Sequence, residues 1–286
     1  MSMTSEIGAM DATYVSDCLS GRRLYGEDFS EDAIQAWFED EREGFADLGA
    51  KNQASYCYEY HRLNVLHGFR YLPQRLSGHT LSIGGAYGEE LRPFLSNIRT
   101  ITILEPSGAF TTRSLDSVPI QYAKPEASGI MPFKNETFDL ATCFGCLHHI
   151  PNVGAVLREL HRCLKPGGFA LIREPIISMG DWRQPRRGLT KRERGIPLPI
   201  FRTLIWEAGF HIERETLCGF PPIARIGGML GTHCYNSSVT VLIDQRLASM
   251  FAWNYRYHPV TFPQKLTPTV AAYVLKKSME HDGQDR

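Results

Sequence analysis

Residues 80–105 constrain the fold more than any other stretch. Residues 81–83 form a short apolar run that stops at Gly84, Gly85 and Gly88, and residues 101–104 form a second run that ends on Glu105. Strand, glycine turn, helix, strand and acid make a βαβ unit with a ligand seat at the carboxyl end of its first strand. Side chains in the turn would hold a ligand off the backbone, and the turn itself favours glycine. The helix expected to start near Gly88 aims its free N–H groups into that seat. Glu105 is spaced to accept hydrogen bonds from the two hydroxyls of a ribose. An adenosine-containing cofactor is the minimal expectation.

Composition narrows the class. Apolar residues make up 43% and charged residues 22% of the 286, as in a soluble globular protein with a real core. The formal net charge is zero, so nothing global favours nucleic acid or a membrane surface. No apolar run approaches the roughly 18 residues that cross a bilayer, and the N-terminus lacks the pattern of a secretory signal. The seven cysteines are odd in number and unpatterned, which predicts reduced thiols and a cytoplasmic location.

Taken in order, residues 1–27 read as irregular. Ser30 is expected to cap a helix through Leu48, with Ile34, Trp37, Phe38 and Phe45 at helical spacing. A second helix is expected over 53–72, packed beside the sheet or lying over the site as a lid. Further strands are expected at 118–123, 138–144, 169–172, 211–218 and 269–276. The helix after Asn152 carries an apolar stripe of Val153, Val156, Leu157, Leu160 and Leu164, and should stop at Pro166, Gly167 and Gly168. A helix is expected over 200–208, and a single one in 219–267, about 240–253. The alternation predicts an α/β, Rossmann-like, mostly parallel sheet with helices on both faces and an antiparallel last strand. The expected divisions are an N-terminal helical extension or lid (1–75), a cofactor-binding core (76–218), an insertion capping the acceptor site (219–267), and the last strand with its tail (268–286).

Residues 131–175 carry a resemblance. They include Met-Pro-Phe at 131–133, Phe-Asp at 138–139, Leu-His-His-Ile-Pro at 147–151 and Leu-Arg-Glu-Leu-His-Arg-Cys-Leu-Lys-Pro-Gly-Gly at 157–168. This pattern resembles class I S-adenosylmethionine-dependent methyltransferases, in the methyltransferase-11-like branch. The resemblance covers roughly 78–218 plus the last strand, and implies a seven-stranded sheet and methyl transfer to an acceptor. It implies that Gly84, Gly85, Ala86 and Gly88 hold the methionine part of the cofactor. Glu105, followed by Pro106, would bind the ribose. Glu126, Ala127 and Ser128 would flank the adenine, and Phe144 and Gly145 would lie beside the sulfonium. Three positions depart from the pattern. Ser82 stands where an aspartate is common, Ala86 where the middle glycine stands, and position 127 lacks its carboxylate. Ala86 fits if its φ is negative.

The acceptor side is sketched by other residues. His148 and His149 follow the strand that ends at Phe144, and a histidine there suits proton removal from an alcohol acceptor. His149 is the pattern residue, for which a structural hydrogen bond is the alternative. Cys143, Cys146 and the two histidines look superficially like a metal site, but no second ligand pair stands at zinc spacing, so no metal is expected. Residues 181–194 concentrate Arg183, Arg186, Arg187, Lys191, Arg192 and Arg194 beside Trp182. They predict an anionic acceptor, such as a nucleotide sugar or a phosphorylated or lipid-linked glycan, bound by Trp182, Arg183, Arg186 and Arg187. The expected reaction is O-methylation of a small molecule or sugar. N- or C-methylation and a non-catalytic binding protein of the same fold are the alternatives. A nicotinamide dehydrogenase fits poorly, because the glycines are not spaced G-x-G-x-x-G. Nucleic acid is not expected as a partner, since no basic stripe extends beyond one loop.

Overall fold

The computed structural model describes residues 11–44, 53–74, 76 and 78–279. Eight strands form one sheet: β1 (Gly78–Ile83), β2 (Ile98–Leu104), β3 (Ser114–Leu115), β4 (Val118–Ala123), β5 (Phe138–Phe144), β6 (Leu164–Pro175), β7 (Phe210–Cys218) and β8 (Val270–Lys277). Their order is β3-β4-β2-β1-β5-β6-β8-β7. The expected count of seven is exceeded by the two-residue β3, which pairs antiparallel with β4. β8 runs antiparallel between β6 and β7, as anticipated for the last strand. β1 pairs in parallel with β2 on one side and β5 on the other, so the strand order reverses there. Ligand crevices in open α/β sheets form at such a reversal.

Helices are α1 (Ala12–Ser20), α2 (Glu31–Glu41), α3 (His61–His67), α4 (Val153–Cys163), α5 (Leu198–Glu207), α6 (Pro221–Leu230) and α7 (Ser238–Met250). Two apolar cores sandwich the sheet. One joins Leu81, Ile83, Ala141 and Cys143 to α4 and α5 through Val156, Leu160, Phe201 and Ile205. The other joins Ile101, Ile103, Leu140 and Leu171 to Phe69 and Leu91. Among the described residues no helix is long and apolar enough to cross a membrane.

Several local expectations change. Residues 12–20 are helical, because Asp11 caps Thr13 N and Gly21, at φ 78°, ends the helix. The helix capped by Ser30 ends at Glu41; Phe45 and Leu48 lie outside the described residues. The helix expected over 53–72 is broken into a short 3-10 turn, an extended run through Tyr58 and then α3. That break turns Tyr56, Tyr58 and Tyr60 toward the cleft described below. After Gly88 a 3-10 helix, Glu89–Asn97, replaces the expected α-helix, with Pro93 inside it. Asn152 precedes α4 without a side-chain cap; its Nδ2 donates to Ser128 O (2.6 Å) instead. α4 stops at Cys163 and Leu164 is already extended, so Pro166, Gly167 and Gly168 lie within β6. Residues 219–267 hold two α-helices rather than one.

Candidate active site

The carboxyl ends of β1 and β5 open into a cleft of about 670 Å³. Gly84 sits at φ 66°, and a Cβ there would meet Cys146 Sγ at 2.6 Å, so glycine lets the turns after β1 and β5 touch. A Cβ on Gly85 would fall 1.9 Å from Ser82 Oγ and 2.5 Å from a Glu90 carboxylate oxygen. Ala86 takes φ 49°, against the expectation of a negative value, and is buried with its carbonyl accepting from Tyr122 OH (2.8 Å). Gly88, at φ 78°, starts the 3-10 helix.

Of the residues expected to hold a cofactor, Gly84, Gly85, Glu105, Pro106, Phe144 and Gly145 line this cleft. An adjoining apolar pocket of about 100 Å³ is lined by Ile83, Leu104, Pro106, Glu126, Ala127 and Met131. Ser128 turns away, its Oγ bonded to Glu126 Oε2 (3.3 Å) and Ile130 N (3.3 Å). Glu105 is buried, and burial pushes its carboxyl up, opposed by N–H groups of Ser107 and Ala86.

Glu90 was not legible as a site residue. Its carboxylate is buried beneath Gly85, hydrogen-bonded to Ser82 Oγ, and lines the cleft. Ser82 thus carries no acid itself but holds one supplied eight residues later. Burial pushes the Glu90 carboxyl up to about 7, and Glu89 and Glu105 add to that rise.

The second half of the cleft is built on Glu174, at the end of β6 and fully buried. Its Oε1 accepts from Cys146 N (2.8 Å) and Leu147 N (2.9 Å), and its Oε2 from His148 Nδ1 (2.7 Å). Burial works to raise the carboxyl. The His148 bond and the two N–H groups outweigh it and hold the group below the usual range, hence ionised. With Nδ1–H donated to Glu174, the tautomer assigned from this bond leaves His148 Nε2 as an acceptor. Burial first and the neighbouring His149 second press His148 below its ordinary value, so the ring is neutral near pH 7. His149 Nδ1 bonds to Glu41 Oε2 (2.9 Å), while its backbone carbonyl takes Trp37 Nε1 (2.7 Å). Ligating atoms of His148, His149 and Glu193 lie within 4.8 Å of one another. The Nδ1 atoms of both histidines bond to carboxylates, so the cluster is part of a polar network on the cleft wall.

The basic loop departs most from expectation. Trp182 is buried and stacks on Tyr25 (4.4 Å between centroids), away from the cleft. Arg183 pairs with Asp181 (2.6 Å). Arg186 donates to the carbonyls of Glu193 (2.6 Å) and Thr190 (3.2 Å) of its own loop, and Arg187 is exposed. Lys191 and Arg192 reach Asp40 of α2 (2.8 and 2.6 Å). Arg194, fully buried, donates to the carbonyls of Tyr25 (2.9 Å), His148 (3.0 Å) and Pro151 (3.1 Å). The loop is a strap that ties α2 to the turn after β5. Among the described residues lining the cleft, Glu41, Glu59, Glu90, Glu105, Glu174 and Glu193 outnumber Arg42 and Arg173. Arg173 is held between the rings of Tyr60 (4.4 Å) and Phe144 (5.3 Å) and bonded to Asn64 (2.6 Å).

A glycine turn at the strand reversal, a ribose-spaced acid, an apolar side pocket and a buried acid beneath the glycine turn together fit S-adenosylmethionine, and the class they define is the methyltransferases that use it. The methyltransferase-domain family model matches residues 57–215, and the chain belongs to that family. Over 52 residues the chain is 44% identical to the sterol 4-C-methyltransferase strm-1 of Caenorhabditis elegans, covering 18% of this chain and 15% of that one. Over 51 residues it is 37% identical to the ubiquinone biosynthesis O-methyltransferase of Pseudomonas syringae pv. tomato, covering 18% and 22%. The matches therefore span under a quarter of either relative's length. Among solved structures, the [4+2]-cyclase SpnF superposes with a TM-score of 0.50 at 17% identity, covering 77% of this chain and 81% of that one. The complex between the Haloferax volcanii Trm112 methyltransferase activator and a methyltransferase gives 0.50 at 14%, covering 88% and 100%. At such identities these two share the fold alone.

Proposed function

We propose that the chain transfers the methyl group of S-adenosylmethionine to a hydroxyl of a small-molecule acceptor, with His148 as general base and Glu174 as the group that positions it. The observation that carries this reading is the His148–Glu174 pair, neutral base on buried carboxylate, on the wall of the cofactor cleft. When bound, the cofactor supplies an electrophilic methyl on a sulfonium, which leaves as a neutral thioether. The acceptor hydroxyl's proton passes to His148 Nε2 as its oxygen takes the methyl; Glu174 stabilises the resulting imidazolium. Gly84, Gly85 and Glu105 would orient the methionine and ribose parts, and Ala127 and Glu126 would flank the adenine. Residues 1–75 and 219–267 would wall the acceptor side. The strap spends most of its arginines internally and the described lining of the cleft is acidic, so support for an anionic sugar acceptor falls away. A neutral or cationic hydroxyl compound fits better. N-methylation is the second reading, favoured by the same acidic lining, which suits an amine.

Titration calorimetry with S-adenosylhomocysteine, with NADH as control, tests the cofactor assignment. Micromolar binding is expected, weakened about tenfold or more in Glu105→Ala, which loses charge-assisted bonds to two hydroxyls. Binding of NADH instead would sink the assignment.

Glu90 would take the cofactor's ammonium, replacing the acid missing at position 82. Glu90→Gln is then expected to weaken S-adenosylhomocysteine about tenfold and to leave 5′-methylthioadenosine, which has no amino-acid end, unchanged. The sign with pH follows. The free carboxyl, held near 7, must ionise to meet the ammonium, so affinity should rise as pH increases through about 7. Equal losses for both ligands would assign Glu90 to the turn's architecture instead.

A further inference from the structure

α7 is amphipathic in the reverse sense of a core helix. Val241, Asp244 and Ala248 face inward, where α7 packs on α3 and β7. The outward stripe is Val239, Leu242, Ile243, Arg246 and Met250, and the same spacing continues to Trp253, which is 81% exposed. From Val239 to Met250 this stripe is about 16 Å long. The preceding helix repeats the design, with Arg225, Ile226 and Met229 exposed, and Val260 and Phe262 follow in the loop beyond. Exposed apolar groups gathered in one segment are costly in water and mark a contact surface.

The charge of this segment selects the contact. Residues 219–267 carry Arg225, Arg246, Arg256 and Lys265, all exposed. Their single acid, Asp244, is fully buried and accepts from the N–H groups of Gly219 and Phe220 (2.8 Å each). In a chain of zero net charge, the exposed charges of this segment are therefore cationic beside its apolar groups, with one outside acid, Glu59, paired to His233 (2.8 Å). A two-fold contact with a second copy would set these arginines against each other. An interface of hydrocarbon and anionic headgroups satisfies both components at once.

We propose that residues 221–262 dock on the surface of a bilayer containing anionic phospholipid, with the α7 stripe and Trp253 in the headgroup layer and the arginines on its phosphates. The segment adjoins the cleft: Tyr235 stacks on the cleft residue Tyr60 (5.7 Å), and Asn236 accepts from His61 N (2.8 Å). Docking would bring the mouth of the cleft near acceptors that partition into the membrane.

Flotation of the full chain with vesicles of phosphatidylcholine alone, or mixed with phosphatidylglycerol, tests this. Binding is expected only with phosphatidylglycerol present, with a blue shift of tryptophan emission. The bound fraction should fall at least about fivefold in both Arg246→Glu and Trp253→Ser, each lost interaction being worth about 1 kcal/mol or more. Unchanged S-adenosylhomocysteine binding shows that the variants are folded. Failure of the unmodified chain to float with either vesicle overturns the proposal, as does undiminished flotation of the variants. Self-association in sedimentation velocity that Trp253→Ser abolishes overturns it too, by assigning the face to a second copy.

Discussion

Glu174→Gln is expected to lower turnover by about 10²–10⁴-fold, the range for loss of an effective general base. A glutamine keeps the volume but cannot hold the Nδ1–H tautomer of His148 or stabilise its charged form. The pH profile separates this role from simple damage. In the unmodified chain the rate should rise with pH through a value below 6.5, because burial and His149 press His148 down against the pull of Glu174. Removing that pull should move the acid limb to still lower pH while the plateau falls. A plateau that drops with the limb unmoved would leave Glu174 with a structural task only. His148→Ala should match the rate loss without weakening cofactor binding. A chelator should leave turnover unchanged; loss restored by divalent ions would recast His148, His149 and Glu193 as metal ligands. Stability should respond as well. The Glu174 carboxyl is held below its ordinary 4.5, so its contribution is present above that pH and lost as pH falls through its native value.

Arg194→Met should cost about 3 kcal/mol or more, from several buried carbonyls left without a donor. Thermal unfolding should register this as a fall of roughly 6–12 °C. The guanidinium joins Tyr25, ahead of α2, to Pro151 and to the turn carrying His148, and lies over the Trp37 ring (5.2 Å). Turnover should therefore drop together with stability. Arg194→Lys should recover little, since an ammonium cannot fork to three carbonyls. A melting temperature near that of the unmodified chain would mean that water reaches those carbonyls and that the strap is not what holds the histidines.

The features legible in the sequence share one property: local spacing determines them. The runs that end at Ile83, Leu104 and Phe144 became strands, and Glu105 fell at a strand end where its position alone suggests contact with a ligand. The misread features depend on who is buried beside whom. Composition shows six cations in residues 181–194, but only packing reveals that Arg186 and Arg194 are spent on carbonyls and Lys191 and Arg192 on Asp40. Glu90 and Glu174 were ordinary acids in sequence, and their environments are assembled by residues that lie apart in the chain. Glu41 meets a histidine 108 residues away. Ala86 was expected to fit at negative φ, yet it sits at 49° with its carbonyl accepting from Tyr122 OH, a partner 36 residues away.

The position of β8 has a consequence during synthesis. β6 is complete at Pro175, but the strand that covers its outer edge begins only at Val270. A ribosome adds the intervening 95 or so residues in roughly 5–20 s at ~5–20 residues per second. For that interval the nascent sheet presents a long strand rich in apolar residues with one row of backbone groups unpaired, and β7 has no neighbour at all. Translation speed between these two points, and any chaperone near the exit tunnel, would then govern yield more than the stability of the finished molecule does.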